Sequence, residues 1–124
     1  MNPVQLPFLV EAVLIAVTIL LGFLLRKSGK PYGKWKLVGH IFFYLWFTTG
    51  YGFIASTLRT PGTGIATWIL VVAMGLAILV QLATGVAMIG TKTPVKILPK
   101  VHLVAAIVLL IADLGAFLTT GIGA

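Results

Sequence analysis

The sequence predicts an all-α membrane protein, a four-transmembrane-helix up-down bundle, from three observations. Hydrophobic residues make up 60% of the 124 residues and charged residues only 9%, whereas soluble domains carry about 25% charged residues. The apolar residues fall into four runs, each close to the roughly 20 residues that a helix needs to cross about 30 Å of hydrocarbon. The breaks between these runs are short, which favours antiparallel packing of consecutive helices.

Prolines, glycines and basic residues mark the ends of the predicted helices. Pro7 fits a first helical turn, and the segment from Arg26 to Gly29 ends the first helix. Gly90 and Pro94 end the third helix in the same way. The predicted helices span residues 7–25, 35–58, 64–89 and 99–120, and residues 1–124 form a single integral membrane domain.

The formal charge of +7 comes from nine Lys and Arg residues that lie between the apolar runs. This placement is typical of residues that contact lipid headgroups and set orientation, and it argues against nucleic-acid binding. Eight of the nine belong to the first and third loops, and only Arg59 belongs to the second. We therefore expect a multi-pass plasma-membrane protein with loops one and three in the cytoplasm and both termini outside. The absence of cysteine excludes disulfides, thiolate zinc sites and thiolate iron–sulfur sites.

The chain has two histidines, His40 and His102, which occupy matching positions. Each lies about one turn inside an apolar run, shortly after a lysine, Lys36 in one case and Lys100 in the other. Ionisable groups at membrane depth are costly and usually mark a site. Helices two and four of an up-down bundle run in the same direction on diagonal positions, so we expect the two imidazoles to face each other across the bundle axis. Alternatively, each histidine is an interfacial residue without a ligand.

Two facing imidazoles are the ligands needed to hold one iron from both sides of a porphyrin. A zinc or copper site would usually use more donors at the same depth, where Met88 is the only further and weaker candidate. Helical spacing places Tyr44 and Phe47 on the face of His40, and Gln81 and Gly85 on a stripe of helix three. These residues are able to line a pocket for a flat ligand, although ordinary core packing also explains them.

The segments KLVGHIFFYLWFTTG (36–50) and KVHLVAAIVLLIADLG (100–115) resemble the helix starts of membrane b-type cytochromes. These include the ascorbate-reducible and the bacterial quinol-linked cytochromes b, in which a basic residue precedes a histidine and a long apolar run. The resemblance covers helices two and four, and helices one and three only as hydropathy. Many members hold two haems with four histidines, so with two histidines we expect no second haem here.

The resemblance implies one haem b whose iron has His40 and His102 as axial ligands. It implies propionates directed at the cytoplasmic edge, where four lysines are able to meet them: Lys34, Lys36, Lys96 and Lys100. Bis-histidine ligation leaves no open iron position, which suits electron transfer rather than oxygen binding. The expected partners are lipid, haem, a quinone and a redox partner protein, and the protein would then be a quinol-linked oxidoreductase. Assembly of the chain as a homodimer is a further alternative.

The two acidic residues of the chain, Glu11 and Asp113, both fall within apolar runs. Asp113 lies about 16 Å beyond His102 along its helix and on the same face, and Tyr51 reaches a similar level. We expect an interhelical hydrogen bond near Asp113 and an interfacial Glu11. The functional alternative is a proton-handling quinol pocket formed by these three residues together with Arg59.

Two other functions fit the sequence. Small multidrug exporters are also four-helix chains with a functional glutamate in helix one, and Glu11 and the segment PGTGIATW (61–68) invite that comparison. Such exporters do not need a matched histidine pair. The other alternative is an accessory subunit of a larger membrane complex.

Overall fold

The structure, a computed structural model, describes residues 5–28, 33–57, 64–91 and 96–122. Within these ranges the chain forms four α-helices and no strand: α1 (Gln5–Ser28), α2 (Lys34–Thr57), α3 (Ile65–Gly90) and α4 (Ile97–Ile122). Each helix is long and apolar enough to cross a membrane. The predicted all-α four-helix bundle is therefore confirmed, and the four apolar helices are those of an integral multi-pass membrane protein.

The helix ends differ from the predicted ones by one to three residues. The first and fourth helices begin two residues before Pro7 and Pro99. Proline is tolerated there because the N–H groups of a first helical turn have no intrahelical acceptor. The third helix begins after Gly64, an extended N-cap residue with φ −69° and ψ 153°. The predicted end of helix two at residue 58 lies outside the described residues.

The four helices surround one core, but they do not pack equally tightly. The first helix packs against α2 and α4, and α3 packs extensively against α4, whereas α2 and α3 barely touch. Buried alanines on α4, among them Ala105, Ala112 and Ala116, allow its close approach to neighbouring helices. The helices α2 and α4 therefore occupy diagonal positions, and the seam between α2 and α3 is comparatively open.

Two tyrosines of α2 bridge the open seam. The hydroxyl of Tyr44 donates to the carbonyl oxygen of Ile78 at 2.8 Å, and that of Tyr51 donates to the carbonyl oxygen of Val71 at 2.8 Å. Gly75 provides the space for Tyr51, because a Cβ atom at this position would lie 2.5 Å from the phenolic oxygen. Side-chain hydrogen bonds thus join two helices that share little packed surface.

Candidate functional site

The two histidines face each other between the diagonal helices. The ring centres of His40 and His102 are 6.2 Å apart, and the ring planes are inclined by 59°. His40 is the seventh residue of α2 and His102 the sixth residue of α4, so two helices that run in the same direction bring them to one depth. We call these residues the histidine pair.

The hydrogen bond of His40 identifies which ring nitrogen is available to a ligand. Its Nδ1 atom lies 3.0 Å from the carbonyl oxygen of Thr18 on α1. A carbonyl oxygen only accepts hydrogen bonds, so Nδ1 carries the hydrogen and donates it. In the neutral ring, Nε2 is then the nitrogen with the free electron pair.

The ring of His102 is fixed in the same way by α3. Its Nδ1 atom lies 2.8 Å from Oγ1 of Thr84, and Thr84 donates its single hydroxyl hydrogen to the carbonyl oxygen of Val80 at 2.7 Å. The hydroxyl oxygen therefore accepts from Nδ1–H of His102, which leaves Nε2 as the electron-pair donor. Histidines that bind metals typically hold their other N–H in such a hydrogen bond.

Two glycines make room for the imidazoles on the neighbouring helices. A Cβ atom on Gly22 of α1 would lie 3.1 Å from Cε1 of His40, and one on Gly85 of α3 would lie 3.5 Å from Cε1 of His102. Gly22 follows Thr18 by one helical turn. The carbonyl oxygen of Thr18 is therefore accessible to His40 because no side chain covers it at the next turn.

A cavity of about 300 Å³ surrounds the histidine pair and takes side chains from all four helices. Its wall is mostly apolar, and Ile15 and Phe47, each 1% exposed, lie along it. The few polar groups on the wall include Thr18, Gln81 and Tyr44. Concave, mostly apolar pockets with a few convergent polar groups are typical of cofactor sites.

The distance between the ring centres of the histidine pair is close to the distance expected for two imidazoles bound to one metal ion. A metal–nitrogen bond of about 2.0 Å on each side, with each ring centre about 1.15 Å behind its nitrogen, sets the ring centres about 6.3 Å apart. The observed separation is 6.2 Å. Gln81, which is 5% exposed, has a side-chain oxygen without a partner among the described residues, so the site has a further polar group available to a ligand.

The other residues predicted for this site divide into two groups. Tyr44, Phe47, Gln81 and Gly85 line the cavity with the histidine pair, as does Met88. Four lysines proposed to meet propionates are exposed and are not among the residues that line it: Lys34, Lys36, Lys96 and Lys100. Lys34 instead lies over the ring of Trp35, with Nζ 5.9 Å from the ring centre.

The contribution of α1 to the site was not predicted, and the residues with which it lines the cavity include Thr18, Gly22 and Arg26. The sequence assigned Arg26 only to the end of the first helix and to membrane orientation. The signal that points to them is a repeated pattern, because a polar residue precedes a glycine by four positions both at Thr18–Gly22 and at Gln81–Gly85. Each of these glycines contacts one histidine of the pair.

The two acidic residues lie away from the cavity wall and close to each other. Glu11 is 2% exposed and Asp113 is 0% exposed, and the two carboxyl groups interact electrostatically. Glu11 packs against Gly50 of α2, where a Cβ atom would collide with its carboxyl oxygen Oε1. We call Glu11 and Asp113 the acid pair.

The structure corrects the expected environment of the acid pair. The expected hydrogen bond of Asp113 is wrong, since neither carboxyl oxygen has a partner among the described residues. The side chain of Glu11 is enclosed by the bundle, at 2% exposure, while its expected depth at the membrane interface stays a prediction. The hydroxyl of Tyr51 donates to the carbonyl oxygen of Val71, and Arg59 lies outside the described residues, so the quinol pocket stays a prediction.

No family model matches the chain, and no curated protein or solved structure matches it significantly.

Proposed function

We propose that the protein is a membrane electron-transfer protein that binds one haem b between His40 and His102. The observation that carries the proposal is the 6.2 Å separation of the two ring centres, which suits one iron bound from both sides. The hydrogen bonds to Thr18 and Thr84 support it, because they hold both rings with Nε2 as the electron-pair donor.

The two histidine ligands favour electron transfer over the binding of oxygen. Haem iron with two axial histidines has no open position for oxygen and changes oxidation state by one electron. The apolar wall of the cavity, including Ile15 and Phe47, would keep bulk water away from the site. This function requires an electron donor, which is a quinol or another small reductant, and an electron acceptor, which is a redox partner protein.

We further propose that the basic end of the bundle faces the cytoplasm. The basic end is the end at which α1 finishes and α2 and α4 begin, and it carries all the described cations: Arg26, Lys27, Lys34, Lys36, Lys96 and Lys100. Cytoplasmic loops are enriched in Lys and Arg. Because the chain has no native cysteine, a Gly33→Cys variant is testable with an impermeant maleimide on intact cells. We expect no labelling. Strong labelling would show that the basic end faces the outside of the cell, opposite to the proposed orientation.

Purified histidine variants test the haem assignment. His40→Ala and His102→Ala each remove one iron ligand, so each variant should lose most of its haem while its helical circular dichroism is retained. Lys36→Ala is the control, since this exposed residue is not among those that line the cavity. Undiminished haem in either histidine variant, at one equivalent per chain, would refute axial ligation by that residue.

The exporter alternative makes a different prediction. Proton-coupled export through Glu11 would be abolished by Glu11→Gln and would survive the loss of either histidine. The haem protein should instead remain coloured after Glu11→Gln, because Glu11 is not among the residues that line the cavity. A colourless wild-type protein with Glu11-dependent cation export would favour the exporter.

A further inference from the structure

The cavity around the histidine pair has one cationic wall residue. Among the described residues, Arg26 is the only Lys or Arg that lines the cavity. It belongs to the last turn of α1 and follows Gly22 by four residues, a rise of about 6 Å along the axis. Since Gly22 lies beside the ring of His40, where a Cβ atom would come within 3.1 Å of it, Arg26 lies one turn from the level of the histidine pair, toward the basic end.

No carboxylate side chain of this chain is placed to neutralise Arg26. The sequence contains two acidic residues, and both are buried in the acid pair. Glu11 precedes Arg26 on the same helix by about 22 Å of rise. An arginine on the wall of a largely apolar cavity, without an acidic partner, is a natural site for an anionic group of a ligand, which a guanidinium can bind through two parallel hydrogen bonds.

We propose that Arg26 binds the carboxylate edge of the molecule held between His40 and His102, and so directs that edge toward the basic end. This inference rests on the proposed haem function and deepens it. For haem b, the carboxylates are the two propionates. Arg26 is exposed, as the described lysines are, but it alone among these cations lines the cavity, so Arg26 is the residue that recognises the propionates. The ligand class is therefore a metallomacrocycle with acidic groups on one edge.

The position of Arg26 predicts selectivity between two forms of the same macrocycle. Haem b carries two free propionates, whereas its dimethyl ester has the same ring and iron with neutral esters. A hydrogen-bonded pair of opposite charges contributes more to binding affinity than a neutral hydrogen bond does. The wild-type protein should bind haem b more tightly than the ester, and this preference should depend on the guanidinium of Arg26.

The test is an absorbance titration of haem-free protein in detergent with haem b and with its dimethyl ester. Arg26→Gln should weaken haem b binding about tenfold, which corresponds to about 1.4 kcal/mol, and leave ester binding unchanged. Lys27→Gln is the matched control, because Lys27 is the neighbouring cation, is exposed as Arg26 is, and does not line the cavity. Arg26→Lys should retain part of the preference for the free acid.

Each outcome of this titration decides the question. Unchanged haem b affinity in Arg26→Gln, or an equal loss of affinity for haem b and ester, would overturn the role of Arg26 and leave the histidine assignment intact. Failure of the wild-type chain to bind either macrocycle would instead overturn the proposed function and, with it, this inference. Circular dichroism of each variant verifies that the helices are retained.

Discussion

At the residue scale, the site depends on hydrogen bonds that orient the two imidazoles from outside the cavity. His40 donates to a backbone carbonyl oxygen, that of Thr18, whereas His102 donates to a side-chain hydroxyl, that of Thr84. A backbone carbonyl cannot be removed by substitution, but a hydroxyl can. The two histidines are therefore open to different mutational tests.

Thr84→Val should loosen His102 and change the redox potential of the bound iron. The substitution removes the acceptor of Nδ1–H, and such partners typically contribute 10- to 100-fold to metal affinity and raise the basicity of the ligand. Because a less basic ligand stabilises the oxidised iron less, the midpoint potential should rise. Thr49→Val is the control, as Thr49 is exposed and bonds only within its own helix, to Leu45. An unchanged potential in a redox titration would argue against this contact.

Gly22→Ala should weaken haem binding through His40. The added Cβ would lie 3.1 Å from the imidazole, so the ring must shift by a few tenths of an ångström. This shift would disturb the hydrogen bond between Nδ1 of His40 and the carbonyl oxygen of Thr18. We expect about a tenfold loss of affinity, the low end of the effect of a lost outer partner. Gly39→Ala is the control, because its Cβ would meet nothing within 4 Å. Equal haem affinity in these two variants would contradict the proposal that Gly22 leaves the space needed by the ring of His40.

The sequence predicted the histidines of this site better than their surroundings. Each histidine lies about one turn inside an apolar run, and the two helices run in the same direction. These two facts were sufficient to predict that the two rings share one depth. The contribution of Thr18 was not predictable, because its functional atom belongs to the backbone. Its accessibility depends on the missing side chain of Gly22 and on the approach of a neighbouring helix.

At the element scale, glycines determine which helices contact the buried acids and rings. Gly50 of α2 leaves space for the carboxyl group of Glu11 from α1. At Gly52, two residues later, an added Cβ atom would have no neighbour within 4 Å. The difference between them arises from tertiary contacts, since two positions in a helix point about 200° apart.

Gly50→Ala should destabilise the bundle by about 1–3 kcal/mol, the usual cost of overpacking a core. Gly52→Ala should be neutral or stabilising by up to about 1 kcal/mol, because alanine is the better helix former. The comparison requires unfolding in mixed micelles of increasing SDS content. In a Glu11→Ala background, the cost of Gly50→Ala should largely disappear. A cost that persists there would show that Gly50 does not serve the contact with Glu11.

The helix ends show how far sequence patterns reach at this scale. The predicted first and fourth helices begin at Pro7 and Pro99, whereas each proline is the third residue of its helix. Each sits within the first turn, where the missing N–H costs nothing. The existence and type of each element followed from hydropathy, whereas its ends depended on turn geometry that the pattern does not fix.

At the scale of the whole molecule, the bundle separates its polar groups by depth. The described cations occupy the basic end, the histidine pair lies about one turn inside it, and the acid pair lies about 16 Å further along the axis. The order was predictable because an α-helix converts sequence distance directly into depth. The open seam between α2 and α3 was not predictable, since it depends on which helix faces fit together.

The measurement that tests the central claim most directly is a reduced-minus-oxidised visible spectrum of the purified wild-type protein. One haem held by His40 and His102 should give the narrow absorbance bands of six-coordinate, low-spin haem b, at one haem per chain. These bands should be insensitive to carbon monoxide, because both axial positions are filled by protein. A featureless difference spectrum from haem-supplemented, folded protein would contradict the claim.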